Sequence, residues 1–348
     1  MELRELLLYV IDKKASDLHL TEKMPPLIRI DGKIVAAEFP KLTREETKRL
    51  IYSILSNEQK EKFEKDWELD LSLAMPGLDR FRVNVHIQRG CVEAAFRRIP
   101  ILIPTFDELG LPRIVADLAR RPNGLVLVTG PTGVGKSTTL AAMVDLINSE
   151  RSDIIITIED PIEFLHYNKK SVIKQREVYA DTHSFAEALR HVLRQDPNVI
   201  MVGEMRDLET ISTAITAAET GHLVLATLHT PDAPQTIERI IDVFPPNQQQ
   251  QVRLQLAECI QGVVSQLLLP RADNKGRVLA TEIMIATAGI RNLIRENEVE
   301  QIPTLMQTGS QFGMQTMDKC LKSLYRQNII TLETALSKVK NQDEFRNL

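Results

Sequence analysis

Cysteine is scarce in this chain. The three present, Cys91, Cys259 and Cys320, are too far apart to form a paired metal motif or a disulfide framework. Each is expected to be a small core residue in a reducing compartment. A basic surplus is also missing. Lys and Arg number 43 against 47 Asp and Glu, a net charge of −4 with both signs spread along the chain. A dedicated nucleic-acid binder usually carries a basic excess, so no nucleic-acid partner is expected. No apolar run approaches the roughly 20 residues of a membrane helix. The opening stretch MELRELLLYVIDKKASDLHL lacks the shape of a signal peptide, because Glu2, Arg4 and Glu5 precede its short apolar run and Asp12, Lys13 and Lys14 end it. These features read as a soluble, cytoplasmic protein with no direct membrane insertion. With 348 residues, 43% of them hydrophobic, there is room for two domains and a helical appendage.

The first part of the chain reads as an α+β domain. Leu3, Leu6, Leu7 and Val10 recur at helical spacing, LIRIDGKIV reads as a hairpin around Asp31-Gly32, and Thr43 with Glu46 forms a capping box that opens a helix. In RFRVNVHIQRGCVEAAFRRI, a two-residue turn at Arg89-Gly90 puts Phe81, Val83, Val85, Ile87, Val92, Ala94 and Phe96 on one face. The same register pairs Arg82 with Arg97 on the other face. Two opposed arginines are destabilising unless an anion or a carboxylate lies between them, and solvation at the surface is the plainer account. The segment 99–112, with three prolines and a glycine, reads as a linker. The division expected is 1–98, a linker at 99–112, an α/β core at 113–270 and a mostly helical region at 271–348.

Beyond the linker, buried strands alternate with helices, the signature of a parallel α/β sheet. GLVLVTGPTGVGKSTTLAAMVDLI holds Gly130-x-x-x-x-Gly135-Lys136-Ser137, a Walker A pattern, after an apolar strand and before a helix with Leu140, Met143, Val144 and Ile147 on one stripe. Gly130, Thr132, Gly133, Gly135 and Thr138 complete the expected ATP cradle. Lys136 is expected to reach the β- and γ-phosphates and Ser137 to ligate Mg2+. Other strands also end in polar groups: Glu159 with Glu163 just beyond, Glu204, and His229, with His222 at the start of the same strand. Ligands bind at the carboxyl edge of such sheets, so Lys136, Glu159, Glu163, Glu204 and His229 are expected to converge. In VIMVGEMRD the strand ends in Gly203, where many nucleotide hydrolases carry an aspartate. Three nearby carboxylates can divide the work on metal-bound water and on the proton of the attacking water, and spacing does not say which does which. Arg206 and Asp207 read as an ordinary helix cap.

The blocks GPTGVGKSTT, TIEDPIEF, VGEMRDLETI and TGHLVLATLHT, in this order, resemble the secretion-type ATPases that power type IV pili and type II secretion. They correspond to that superfamily's Walker A, acidic box, atypical Walker B and His box. ASDLHL, GMQTMD and GIRNLIRE are similar to its retraction branch, the twitching-motility ATPases. The resemblance covers essentially the whole chain. It implies a homohexameric ring of subunits, each with a PAS-like amino-terminal domain and a RecA-like carboxyl-terminal domain, with ATP bound between the two. It also implies an inner-membrane pilus platform protein as partner, with a second retraction ATPase as a further one, and a place at the inner-membrane face of the pilus machine. Residue by residue, it assigns hydrolysis to Glu204, shared water and metal work to Glu163, the His box to His222 and His229, and nucleotide contacts to Arg82 and Arg97. The short motif of the branch begins with alanine where this chain has Gly289. The four-cysteine zinc motif and longer amino-terminal regions of assembly ATPases are not found, which favours retraction over extension.

Overall fold

The computed structural model describes residues 1–30, 32–73, 79–99, 102–273 and 275–340. Asp31 of the first expected hairpin and residues 100 and 101 of the expected linker lie outside these. Two compact units result, Met1–Leu102 and Ile103–Leu348.

The first unit is an antiparallel sheet with helices. Its strands are β1 (Asp17–Leu20), β2 (Leu27–Ile30), β3 (Lys33–Ala36), β4 (Glu68–Leu73), β5 (Arg80–Gln88) and β6 (Cys91–Ile99), in the order β3-β2-β1-β6-β5-β4. Helix Leu3–Asp12 buries Leu3, Leu6, Leu7 and Val10, and the Thr43–Glu46 capping box opens helix Arg44–Tyr52. The β5–β6 register sets Arg82 opposite Arg97 and turns at Arg89-Gly90, both with positive φ, as the tight turn of a hairpin requires. Phe81, Val83, Val85, Val92, Ala94 and Phe96 are buried on the predicted face, while Ile87 at its end is 38% exposed.

The second unit is built on β7 (Gly124–Thr129), β8 (Ile154–Glu159), β9 (Val172–Glu177), β10 (Val199–Val202), β11 (Leu223–Leu228), β12 (Ile260–Pro270) and β13 (Arg277–Ile285). The order is β13-β12-β7-β11-β10-β8-β9; only β13 runs antiparallel to its neighbour. The sheet therefore extends past residue 270, through β13, before the helices that follow it. β7, β10 and β11 are buried along their whole lengths, because helices cover both faces. Helix Lys136–Glu150 buries Leu140, Met143, Val144 and Ile147, and helix Leu208–Glu219 buries Ile211, Ala214, Ile215 and Ala218. This packing brings the carboxyl ends of β7, β11, β10 and β8 to one edge. All three cysteines are free and buried.

Candidate active site

The loop after β7 curls where a side chain could not follow. Gly130 has φ +134°, and a β-carbon there would lie 2.4 Å from the carbonyl oxygen of Gln266 on β12. The loop ends at Gly135, in the left-handed region, which starts helix Lys136–Glu150. Its amides and the helix N-terminus form an anion cradle. Lys136 is buried, and its Nζ donates to the carbonyl oxygens of Gly130 at 2.8 Å and Pro131 at 3.1 Å. Burial holds its pKa below the usual lysine value, against the pull of Glu204 and Glu163.

A cavity of about 510 Å³ opens along this edge. Thr132, Gly133, Gly135, Lys136, Ser137, Thr138, Glu159, Glu163, Glu204 and His229 line it, so the convergence inferred from strand ends is present in space. His229 lies between its two halves. Its Nε2 is 3.0 Å from Glu204 Oε1, and its Nδ1 is 3.4 Å from both Lys136 Nζ and Thr132 Oγ1. Arg206 meets the same Glu204 oxygen at 2.6 Å. Burial pushes the Glu204 carboxyl up, but Arg206 and His229 together outweigh it and hold the pKa below the ordinary carboxylate value. Glu204 is therefore a fixed anion at neutral pH.

Glu159 is its opposite. Its Oε1 accepts from Thr157 Oγ1 at 2.6 Å and Gln175 Nε2 at 3.0 Å, yet burial pushes its pKa up to about 7. Glu163 is exposed, one turn of chain beyond. Glu159 and Glu204 thus form one acid that titrates near neutrality and one that stays ionised, which is how a pair of carboxylates acquires separate roles.

The position of Gly203 explains the missing aspartate. A β-carbon there would lie 3.2 Å from the carbonyl oxygen of Ile158 and 3.3 Å from the α-carbon of Glu159, both backbone atoms of β8. The Gly203 amide also donates to that oxygen at 2.8 Å. A side chain there would force β8 to give by a few tenths of an ångström, and the carboxylate falls one residue later, on Glu204.

His222, Arg206 and the Arg82–Arg97 pair lie as follows. His222 does not line the cavity: it sits at the amino end of β11, the far edge of the sheet, where its Nδ1 lies 2.9 Å from the Ala217 carbonyl oxygen. A strand carries its two ends apart, so two histidines flanking β11 do not meet within one chain. Arg206 is no helix cap; Asp207 alone caps, accepting the Thr210 amide at 2.8 Å, while Arg206 turns back to Glu204. Arg82 and Arg97 lie exposed in the first unit, and the carboxylate that meets Arg97 is Asp17, with Arg97 Nε 3.0 Å from its Oδ1. Burial raises the Asp17 pKa, but Ser16, Arg97 and Arg29 bring it below the usual value. Sequence reasoning also passed over Thr157 and Gln175. Thr157 stands two residues before Glu159, on the same face of β8 by strand alternation, and this was the available signal.

A Walker A loop on a largely parallel, helix-covered sheet, with a fixed glutamate at a neighbouring strand end, defines a P-loop ATPase with a RecA-like core. The chain belongs to the family described as type II/IV secretion system protein, whose profile matches residues 3–345. It is 50% identical over 345 residues to the type IV pilus retraction ATPase PilT of Pseudomonas aeruginosa, covering 99% of this chain and 100% of that one. It is 40% identical over 346 residues to PilU of the same organism, covering 99% and 91%. A crystal structure of the pilus retraction motor PilT with bound ADP superimposes with a TM-score of 0.94 at 52% identity, covering 100% of both chains. The Legionella pneumophila ATPase DotB superimposes with a TM-score of 0.80 at 27% identity, covering 96% and 94%.

Proposed function

We propose that this chain is the ATP-driven motor of type IV pilus retraction, acting as a ring of six copies on an inner-membrane platform protein. The observation that carries the hydrolytic part is His229, which touches Lys136 of the phosphate loop with one ring nitrogen and Glu204 with the other. In this reading Lys136 and the loop amides hold the phosphates, Glu204 is the main catalytic carboxylate, and Glu163 and Glu159 assist. His229 senses the γ-phosphate, and Arg82 and Arg97 are nucleotide-responsive cations. The amino-terminal unit is read as PAS-like, on its antiparallel sheet with β1 beside the last-formed hairpin.

The residues suit Mg2+. Among the described residues, no three His, Cys, Asp or Glu side chains cluster to hold a metal by themselves. Magnesium is usually held by one or two protein oxygens together with substrate phosphates, not by an all-protein cage. Ser137 would be its direct protein ligand, with Glu204 and Glu163 oriented toward its waters. The ion would neutralise charge on the phosphates.

Retraction as the direction of work is supported by the full-length match to the pilus retraction ATPase PilT. Glu204→Gln is expected to abolish ATP turnover while sparing ATP binding, because it removes a charge without changing the side chain's size. Near-normal turnover in that variant would end the assignment. Deleting the chain in its source organism is expected to leave excess, non-retracting surface pili. Loss of pili would reverse the direction of work.

A further inference from the structure

Three residues past His229 the chain enters helix Ala233–Asp242, capped by Asp232. Asp232 is 4% exposed; its Oδ1 accepts the Gln235 amide at 2.9 Å and its Oδ2 the Gln235 side chain at 3.0 Å. A second buried carboxylate stands beside it. Glu282 on β13 is 5% exposed and accepts the Ala233 amide at 3.0 Å. Two carboxylates thus hold Ala233 and Gln235 in the first turn of one helix, and each makes the other's charge costlier. The cation that pairs with Asp232 comes from far along the chain, on a side chain that is 59% exposed. Lys340 Nζ lies 2.6 Å from Asp232 Oδ2, and the Lys340 amide donates to Asp318 Oδ1 at 3.0 Å, fixing the backbone behind it. Burial pushes Glu282 above the usual carboxylate range, and Lys340 pulls the other way.

We propose that Lys340 is a positioning residue for ATP hydrolysis: it clamps the turn at Asp232–Ala233 and so keeps His229 against Glu204. The inference rests on the ATPase reading above and adds that the carboxyl-terminal segment sets the state of the hydrolytic site. Without the cation, Asp232 loses its charge partner and its repulsion with Glu282 is left uncompensated. Only Thr230 and Pro231 separate His229 from Asp232, so movement of the cap displaces the histidine. The phosphate loop is anchored on β7 and β12 instead. Hydrolysis therefore suffers while nucleotide affinity does not.

The test is steady-state ATP hydrolysis by the full chain. Lys340→Met is expected to lower kcat roughly threefold to tenfold, with KM for ATP little changed. Lys340→Arg keeps the cation and is expected to stay near wild type. Adding Asp232→Asn to Lys340→Met removes one of the repelling charges yet retains a good cap, and is expected to restore much of the lost kcat. Hydrogen exchange at the Ala233 amide is expected to quicken in Lys340→Met. The clamp is overturned if Lys340→Met matches wild type, if Lys340→Arg is as impaired as Lys340→Met, or if the loss falls on KM. If the wild-type chain hydrolyses no ATP, the ATPase reading fails by itself. Ala233 exchange then decides the clamp, and unchanged exchange in Lys340→Met overturns it.

Discussion

Gly203→Ala tests how the hydrolytic carboxylates are spaced. The new methyl carbon would meet the Ile158 carbonyl oxygen at 3.2 Å and the Glu159 α-carbon at 3.3 Å. Both are backbone atoms of a strand hydrogen-bonded on two sides, so neither can rotate away as a side-chain tip would. Overpacking of this kind costs about 1–3 kcal/mol, and a shortfall of a few tenths of an ångström belongs near the low end. Replacing glycine also restricts the unfolded chain, returning about 0.4–1 kcal/mol. The net expectation is a loss of about 0.5 kcal/mol, or a fall in Tm of roughly 1–2 °C for a unit of this size. The displaced end of β8 carries Glu159, so turnover should fall by more than this mild destabilisation explains, roughly threefold to tenfold for a misplacement of a few tenths of an ångström. Thermal unfolding and phosphate release, measured on the same preparation, give both numbers. Gly203→Asp, which restores the more usual strand-end residue, is expected to be worse on both counts, since it adds a charge beside buried Glu159. Wild-type turnover in either variant would refute the close-approach argument.

Glu159→Gln is expected to flatten the pH dependence of stability. The folded pKa, about 7, lies above the ordinary glutamate value of 4.5, so the protonated carboxyl favours the folded state. That contribution is complete below the unfolded value and is lost as pH rises through about 7. Melting curves from pH 5 to 8 should diverge, wild type losing more; parallel curves would show that burial does not control this group. Arg82→Ala is expected to cut ATP turnover without lowering Tm, since Arg82 is exposed; activity equal to wild type would leave the arginine as surface only. Gly289→Ala places a methyl 3.2 Å from the flexible end of Leu305, which can yield. Removing a glycine from a helix is then expected to add about 0.5–1 kcal/mol of stability, read as a small rise in Tm, and a fall would mean that Leu305 is held in place.

Much of this was legible in the sequence because it depends on local pattern. The register of β5 and β6 follows from alternation and one turn, and the phosphate loop announces itself between an apolar strand and an amphipathic helix. The convergence of Glu159, Glu204 and His229 follows from a topological rule about strand ends. What stayed hidden depends on approach between segments remote in sequence. Nothing adjacent to Gly203 shows that β8 passes within reach of its missing side chain. Asp17 and Arg97 are 80 residues apart, so the carboxylate beside the arginine could not be named beforehand. Arg206 next to Asp207 fits a capping pattern as readily as an ion pair, and only the direction of its side chain separates the two.

One consequence concerns β11. This strand is hydrogen-bonded to β10 on one side and β7 on the other, with His222 before its first residue and His229 after its last. Six extended residues span about 20 Å, and a strand so tied can neither shorten nor bow independently. It works as a strut. A push on the sheet edge at His222 arrives at the phosphate-facing end without being absorbed on the way, and the reverse holds for a displacement that begins at His229. The distance from His222 to the phosphate-facing His229 is thus set by the length of a single rigid bar.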